Sequence, residues 1–250
     1  SACLLGSEMC IRDSYCDLES DIVNRRIDRP LVRGELRKEE ALIIAILATA
    51  LGIISASFLS HLLFSLALIS AVLGILYDLK LKEFLAVSNV YIALTMAIPF
   101  IFGGLIVDPG GINLALIILS SIAFLAGLGR EVMKGIADVK GDVLRNIRSV
   151  ARVYGAAKAK RVVVFSYSLA VILSVIPFFA NTTPYFFNLV YLLPVMAADL
   201  LFMHTSFELK PFRKRAEHEE DIDYMGLRKE TLIAIAIGLV AFIGGALYRF

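Results

Sequence analysis

Two groups of carboxylates in this chain recur at helical spacing beside basic residues. The first is Asp17-Leu18-Glu19-Ser20-Asp21, and the second is Glu131 followed by Asp138 and Asp142. On a helix Asp17 and Asp21 are i, i+4 neighbours, as are Asp138 and Asp142, while Glu131 lies two turns before Asp138 on the same face. Like charges so placed repel by about 0.2–0.5 kcal/mol per pair, and by more near hydrocarbon, so a cation is needed to offset them. Oxygen ligands with no His or Cys among them suit Mg²⁺, which keeps several waters and is usually completed by phosphate oxygens. Arg25, Arg26, Arg29 and Arg33 follow the first group, and Arg130, Lys134, Arg145 and Arg148 surround the second. Acid and base interleaved in this way suit a diphosphate held through bridging metal.

Smaller signals lie near these groups. Tyr77 and Lys82 close one apolar run and Asn89 enters the next, where an interfacial Tyr and a snorkelling Lys are the plain alternative. Asp199 falls within an apolar run, about one turn inside its charged end. It is either a working intramembrane carboxylate or a hydrogen-bond partner for a neighbouring helix. Cys3, Cys10 and Cys16 form no C-x-x-C pair, and His61, His204 and His218 stand apart from them and from one another, so neither a disulfide framework nor a zinc site is expected. Asn181-Thr182-Thr183 matches a glycosylation acceptor as a bare tripeptide.

The elements that must position these residues are membrane spans. With 58% hydrophobic residues and a mean hydropathy of +0.78 over 250 residues, the chain is too apolar for a water-soluble domain, and its formal charge of +2 points to no nucleic-acid partner. Apolar runs long enough to cross about 30 Å of hydrocarbon occur near residues 39–57, 59–77, 84–107, 112–129, 161–180, 185–205 and 230–248. Continuous apolar stretches of this kind predict an all-α polytopic transmembrane bundle with seven spans, because lipid leaves backbone groups to be satisfied within each segment. Of the 25 lysines and arginines, all but Arg249 fall in the first residues or in and beside the connectors 15–38, 78–83, 130–160 and 206–229. The positive-inside rule therefore places those connectors, and both acidic groups, in the cytoplasm. Residues 1–14 fit neither a span nor a signal peptide and read as a non-native leader, with the membrane domain running from 15 to 250.

Taken together, these segments resemble the UbiA-type intramembrane prenyltransferases. Tyr15 to Asp21 followed by Asp28-Arg29-Pro30-Leu31 is similar to the family's first aspartate-rich motif. Tyr77 to Lys82 with Asn89 is similar to its Y-x-x-x-L-K connector and following Asn. Arg130 to Lys134 running on through Asp138-Val139-Lys140-Gly141-Asp142 resembles the second motif as it stands in archaeal geranylgeranylglyceryl phosphate geranylgeranyltransferases. The chain departs from the pattern where Asp13-Ser14 stands in place of Asn-Asp, where Gly135 and Ala137 replace an Asp and a Glu frequent in the archaeal subgroup, and at Arg25-Arg26-Ile27. Family members have nine spans, so the resemblance implies that the first and most of the second are missing here.

The resemblance implies Mg²⁺ as cofactor, held by Asp17, Asp21, Glu131, Asp138 and Asp142, with Lys82 beside the departing charge and Arg29, Tyr77, Asn89, Arg130, Lys134 and Arg145 as substrate-binding residues. It implies transfer of a prenyl group, geranylgeranyl in the archaeal subgroup, from its diphosphate to a lipid acceptor, with an aromatic quinone precursor as the alternative acceptor. No obligate protein partner is implied. A transporter using Asp199 is the reading from a different class, and a single acidic residue across seven spans is thin for an ion path.

Overall fold

The computed structural model describes residues 11, 15, 18, 22, 30–79, 84, 87–108, 111–137, 149–209 and 222–248, and within these every regular element is a helix. The elements are α1 (Pro30–Arg33), α2 (Lys38–Ser57), α3 (His61–Leu79), α4 (Val87–Val107), α5 (Leu114–Ala137), α6 (Val150–Tyr154), α7 (Ala156–Phe179), α8 (Leu189–Glu208) and α9 (Tyr224–Leu247). Six of them, α2, α4, α5, α7, α8 and α9, are long and apolar enough to span a membrane. The seven expected spans are thus six and a shorter apolar helix, His61–Tyr77 in α3, which at 1.5 Å per residue reaches about 26 Å. The protein is an integral, multi-pass membrane protein.

Burial along the helices is the reverse of that in a water-soluble protein. On α2 the small residues Ala41, Ala45, Gly52 and Ala56 are buried, while Ile43, Ile46, Leu47, Leu51 and Ile54 point outward. Lipid tails are as apolar as these side chains, so helices gain little by hiding them and associate through close backbone approach at small residues. Several hydroxyls are satisfied inside their own helices. Thr49 donates to the Ala45 carbonyl at 2.8 Å, Ser70 to Leu66 at 2.7 Å and Ser120 to Leu116 at 2.8 Å.

Consecutive long helices run antiparallel. Tyr77 at the end of α3 meets Tyr91 near the start of α4, Gly104 late in α4 meets Leu116 early in α5, and His204 late in α8 meets Glu230 early in α9. Helices α2, α4, α7 and α9 therefore begin at one end of the bundle, and α3, α5 and α8 finish there. The charged connectors leave from this charged end. At the opposite end Asn188 joins two helices. Its Oδ1 accepts from the amides of Val190 and Tyr191, and its Nδ2 donates to the carbonyls of Gly245 at 3.0 Å and Tyr248 at 2.7 Å. This side chain caps the start of α8 and the finish of α9 together. The Tyr185, Tyr191 and Phe242 rings pack beside it.

Several helix limits depart from the apolar runs. The expected span 112–129 continues as helix to Ala137, and the expected connector up to 229 is already helical from Tyr224. The backbone ladder has no reason to stop where hydrocarbon does, so polar turns extend both helices at the charged end. The run expected from 185 begins only at Leu189, because 181–187 forms turns. There the Thr183 hydroxyl donates to the Pro177 carbonyl at 2.6 Å and to Ala180 at 2.9 Å, so the third residue of the glycosylation tripeptide is buried in a structural role. His204, expected to be isolated, places Nδ1 2.8 Å from the Glu230 carboxylate.

Candidate active site

Two glycines set the position of α5. A Cβ at Gly127 would come within 2.7 Å of the Met96 sulfur and 3.4 Å of the Ala93 backbone, and one at Gly129 would collide with the Tyr167 ring. Positions two apart on a helix point about 200° apart, so α5 is held between α4 on one side and α7 on the other. The next residues it carries towards the charged end are Arg130, Glu131 and Lys134. Glu131 is nearly covered, at 16% side-chain exposure, and lies 3.6 Å from the Lys134 ammonium one turn on. Tyr167 is fully buried, its ring against Phe202 of α8 at 4.9 Å, its hydroxyl beside Thr231 of α9 and within electrostatic range of Arg130 and Glu131.

On the α3–α4 side of this end, the Tyr77 and Tyr91 rings stack with centroids 4.5 Å apart. Asn89, in the first turn of α4, is buried. Lys160 is buried in the second turn of α7.

Buried polar atoms without a hydrogen-bond partner lie in the half of the bundle towards this end. Among the described residues they are Asn89 Oδ1, Arg130 Nε, the Tyr167 hydroxyl, Thr205 Oγ1 and Arg228 Nε, on α4, α5, α7, α8 and α9. None lies beyond the midpoint of its helix as measured from the charged end. Each such atom costs about 1–3 kcal/mol if nothing meets it. Four of the five, on Arg130, Tyr167, Thr205 and Arg228, can donate a hydrogen bond, which is the chemistry that holds an oxyanion.

Of the expected site residues, Tyr77, Asn89, Arg130, Glu131 and Lys134 are all at this one end. Asp17, Asp21, Arg29, Lys82, Asp138, Asp142 and Arg145 lie outside the described residues. Among the described residues no three His, Cys, Asp or Glu side chains gather into a metal site. The described part of the site supplies hydrogen-bond donors and one carboxylate, Glu131. An all-oxygen carboxylate set fits a hard divalent cation. Tyr167, Thr205, Arg228 and Thr231 were not legible as site residues. Arg228 counted only as connector charge, and Tyr167 sits in an apolar run with no motif around it.

Asp199 lies about halfway along α8, deeper than its run suggested, because the helix continues to Glu208. Its carboxylate accepts a hydrogen bond from Ser174 of α7 at 2.7 Å. Of the two readings open for it, the structure supplies the interhelical hydrogen bond.

The model of the UbiA prenyltransferase family matches residues 1–217. The chain belongs to the UbiA prenyltransferase family. It is 42% identical over 243 residues to the digeranylgeranylglyceryl phosphate synthase of Archaeoglobus fulgidus, covering 97% of this chain and 80% of that one. A solved structure from work on digeranylgeranylglyceryl phosphate synthase in membranes matches with a TM-score of 0.74 at 26% identity, covering 98% of this chain and 83% of that one. A UbiA homologue from Archaeoglobus fulgidus bound to DMAPP and Mg²⁺ matches at a TM-score of 0.65 and 16% identity, covering 98% of this chain and 85% of that one, and this supports the fold alone. As a UbiA-family member the protein is a prenyltransferase.

Proposed function

We propose that this protein joins a geranylgeranyl group, taken from its diphosphate, to geranylgeranylglyceryl phosphate in the synthesis of archaeal ether lipids, at an active site facing the cytoplasm. The observation that carries the reading is that the unpartnered buried donors all lie in the half of the bundle towards the end where α2 begins and α5 finishes. The 42% identity to a digeranylgeranylglyceryl phosphate synthase supports the choice of substrates. The cytoplasmic orientation rests on the distribution of lysine and arginine.

In this reaction the allylic carbon–oxygen bond to the diphosphate breaks, the acceptor hydroxyl oxygen bonds that carbon, and the hydroxyl proton is released. Asp17, Asp21, Asp138 and Asp142, with Glu131 alongside, would hold Mg²⁺. When bound, the metal supplies positive charge to the diphosphate oxygens and so eases their departure. Lys82, Arg29, Arg130, Lys134 and Arg145 offset the charge that grows on the leaving group. Asn89 and the Tyr77 hydroxyl orient the donor head, with the stack on Tyr91 fixing the Tyr77 ring. The apolar walls of the bundle keep water from the electron-poor allylic carbon until the acceptor attacks.

The test is turnover of geranylgeranyl diphosphate with geranylgeranylglyceryl phosphate by the purified protein, with and without Mg²⁺, beside Asp138→Asn and Asp17→Asn. The expected result is an ether product that needs the metal and falls by at least about a hundredfold in each variant. Full activity in excess EDTA, or in both variants, would reject the reading.

A further inference from the structure

The proposed reaction brings two anions to one end of the bundle, a diphosphate on the donor and a phosphate monoester on the acceptor. The acidic segments account for the first through a divalent cation. Nothing assigned so far accounts for the second, which needs cationic donors of its own. Those donors should sit on helices outside the aspartate motifs, or the two substrates would compete for one place.

Helix α9 provides such a donor. Arg228 lies in its second turn, half-buried, and among the described residues its Nε has no hydrogen-bond partner. One turn on, the fully buried Thr231 hydroxyl donates to the Arg228 carbonyl at 3.0 Å. Thr231 faces the Tyr167 hydroxyl, which is itself unpartnered and buried, and Arg130 approaches Tyr167 from α5. Residues i and i+3 share a helix face, so Arg228 and Thr231 look the same way, towards the ground between α5 and α7. Two orphaned donors from two helices thus border one place, a guanidinium, whose planar fork matches a phosphate, and a phenol, which can donate only one hydrogen bond.

We infer that Arg228 and the Tyr167 hydroxyl form a second oxyanion site, which binds the phosphate monoester of the acceptor lipid and selects phosphate-bearing acceptors over neutral ones. This rests on the prenyl-transfer reading above. The acceptor hydroxyl lies only a glycerol carbon or two from its phosphate, so a seat between α5, α7 and α9 also fixes how far that hydroxyl can reach towards the donor.

The experiment varies each substrate in turn with the full chain in lipid nanodiscs, comparing the wild type with Arg228→Gln and Tyr167→Phe. A charge-assisted hydrogen bond contributes about one to two powers of ten in affinity. We expect the KM for geranylgeranylglyceryl phosphate to rise about thirtyfold or more in Arg228→Gln and about tenfold in Tyr167→Phe, with the KM for geranylgeranyl diphosphate within about twofold of wild type. Glycerol phosphate should compete with the acceptor in the wild type and about tenfold less well in Arg228→Gln. Equal rises for both substrates, or an unchanged acceptor KM in Tyr167→Phe, would overturn the inference. The Tyr167→Phe arm decides the matter if Arg228→Gln does not fold. Wild-type protein that makes no product from this acceptor would overturn the reaction itself, which is a different outcome from a working enzyme with unaffected variants.

Discussion

Removing the carboxylate of Asp199 distinguishes a helix tie from a working acid. In the structure Ser174 Oγ lies 2.7 Å from Asp199 Oδ2 across the α7–α8 interface and also 2.7 Å from the Val171 carbonyl of its own helix. When Asp199 is replaced by Leu, the Ser174 hydroxyl still has Val171 as acceptor, so no donor is orphaned. The loss is one interhelical hydrogen bond, about 0.6–1.7 kcal/mol in a membrane. Against it stands the expense of an aspartate at the middle of a spanning helix, about 2.5–3.5 kcal/mol on insertion scales. The second term is the larger, so Asp199→Leu should be neutral or more stable by about 1–2 kcal/mol. Asp199→Asn, which keeps an acceptor oxygen and has no charge, should lie within about 1 kcal/mol of wild type. Unfolding by denaturing detergent in mixed micelles measures both, and prenyl transfer per folded molecule should stay within about threefold of wild type. If both variants fold normally and turnover falls more than about a hundredfold, the carboxylate itself does chemistry or moves an ion, and the helix-tie argument is wrong.

Asn188→Ala removes two cap acceptances and two donations to the α9 terminus at a buried position. It should destabilise by about 2–4 kcal/mol in the same unfolding assay, with turnover per folded molecule unchanged because Asn188 is at the end opposite the site. Gly129→Ala puts a methyl group into the Tyr167 ring, which Phe202 backs from behind. It should cost about 1–3 kcal/mol and lower kcat more than it alters donor binding, whereas Gly127→Ala meets the flexible Met96 side chain and should be milder in both respects.

The number and direction of the helices were legible because lipid imposes a length and a polarity on each span, and lysine and arginine mark one side. What was not legible was where each helix stops. Arg130 and Lys134 read as connector charge, yet they continue the ladder of α5 to Ala137, since the backbone is satisfied equally well in the headgroup layer. For the same reason Arg228 read as loop and proved to be in the second turn of α9. Motif spacing pointed to Tyr77, Asn89, Arg130, Glu131 and Lys134, and these five share one end of the bundle. It could not find Tyr167, because a tyrosine in an apolar run carries no sign of whether its hydroxyl is matched. That depends on α5, α8 and α9, which are distant in sequence.

The contrast between satisfied and unsatisfied hydroxyls is what turns these positions into evidence of function. A Ser or Thr on a membrane helix can always donate to a carbonyl three or four residues back, and Thr49, Ser70, Thr95, Ser120 and Ser206 all do so at 2.7–2.8 Å. Thr205 has the same option through its own helix and does not take it, although it is completely buried. Tyr167 has no such option, since a phenol reaches too far from its own backbone, so a partner must come from another helix or from a bound molecule. Fold stability alone would favour Phe at 167, where the ring packing against Phe202 survives and the orphaned oxygen is removed. A chain that keeps the oxygen at that place, beside Thr231 and within electrostatic range of Arg130, accepts a loss of stability that binding an anion would offset.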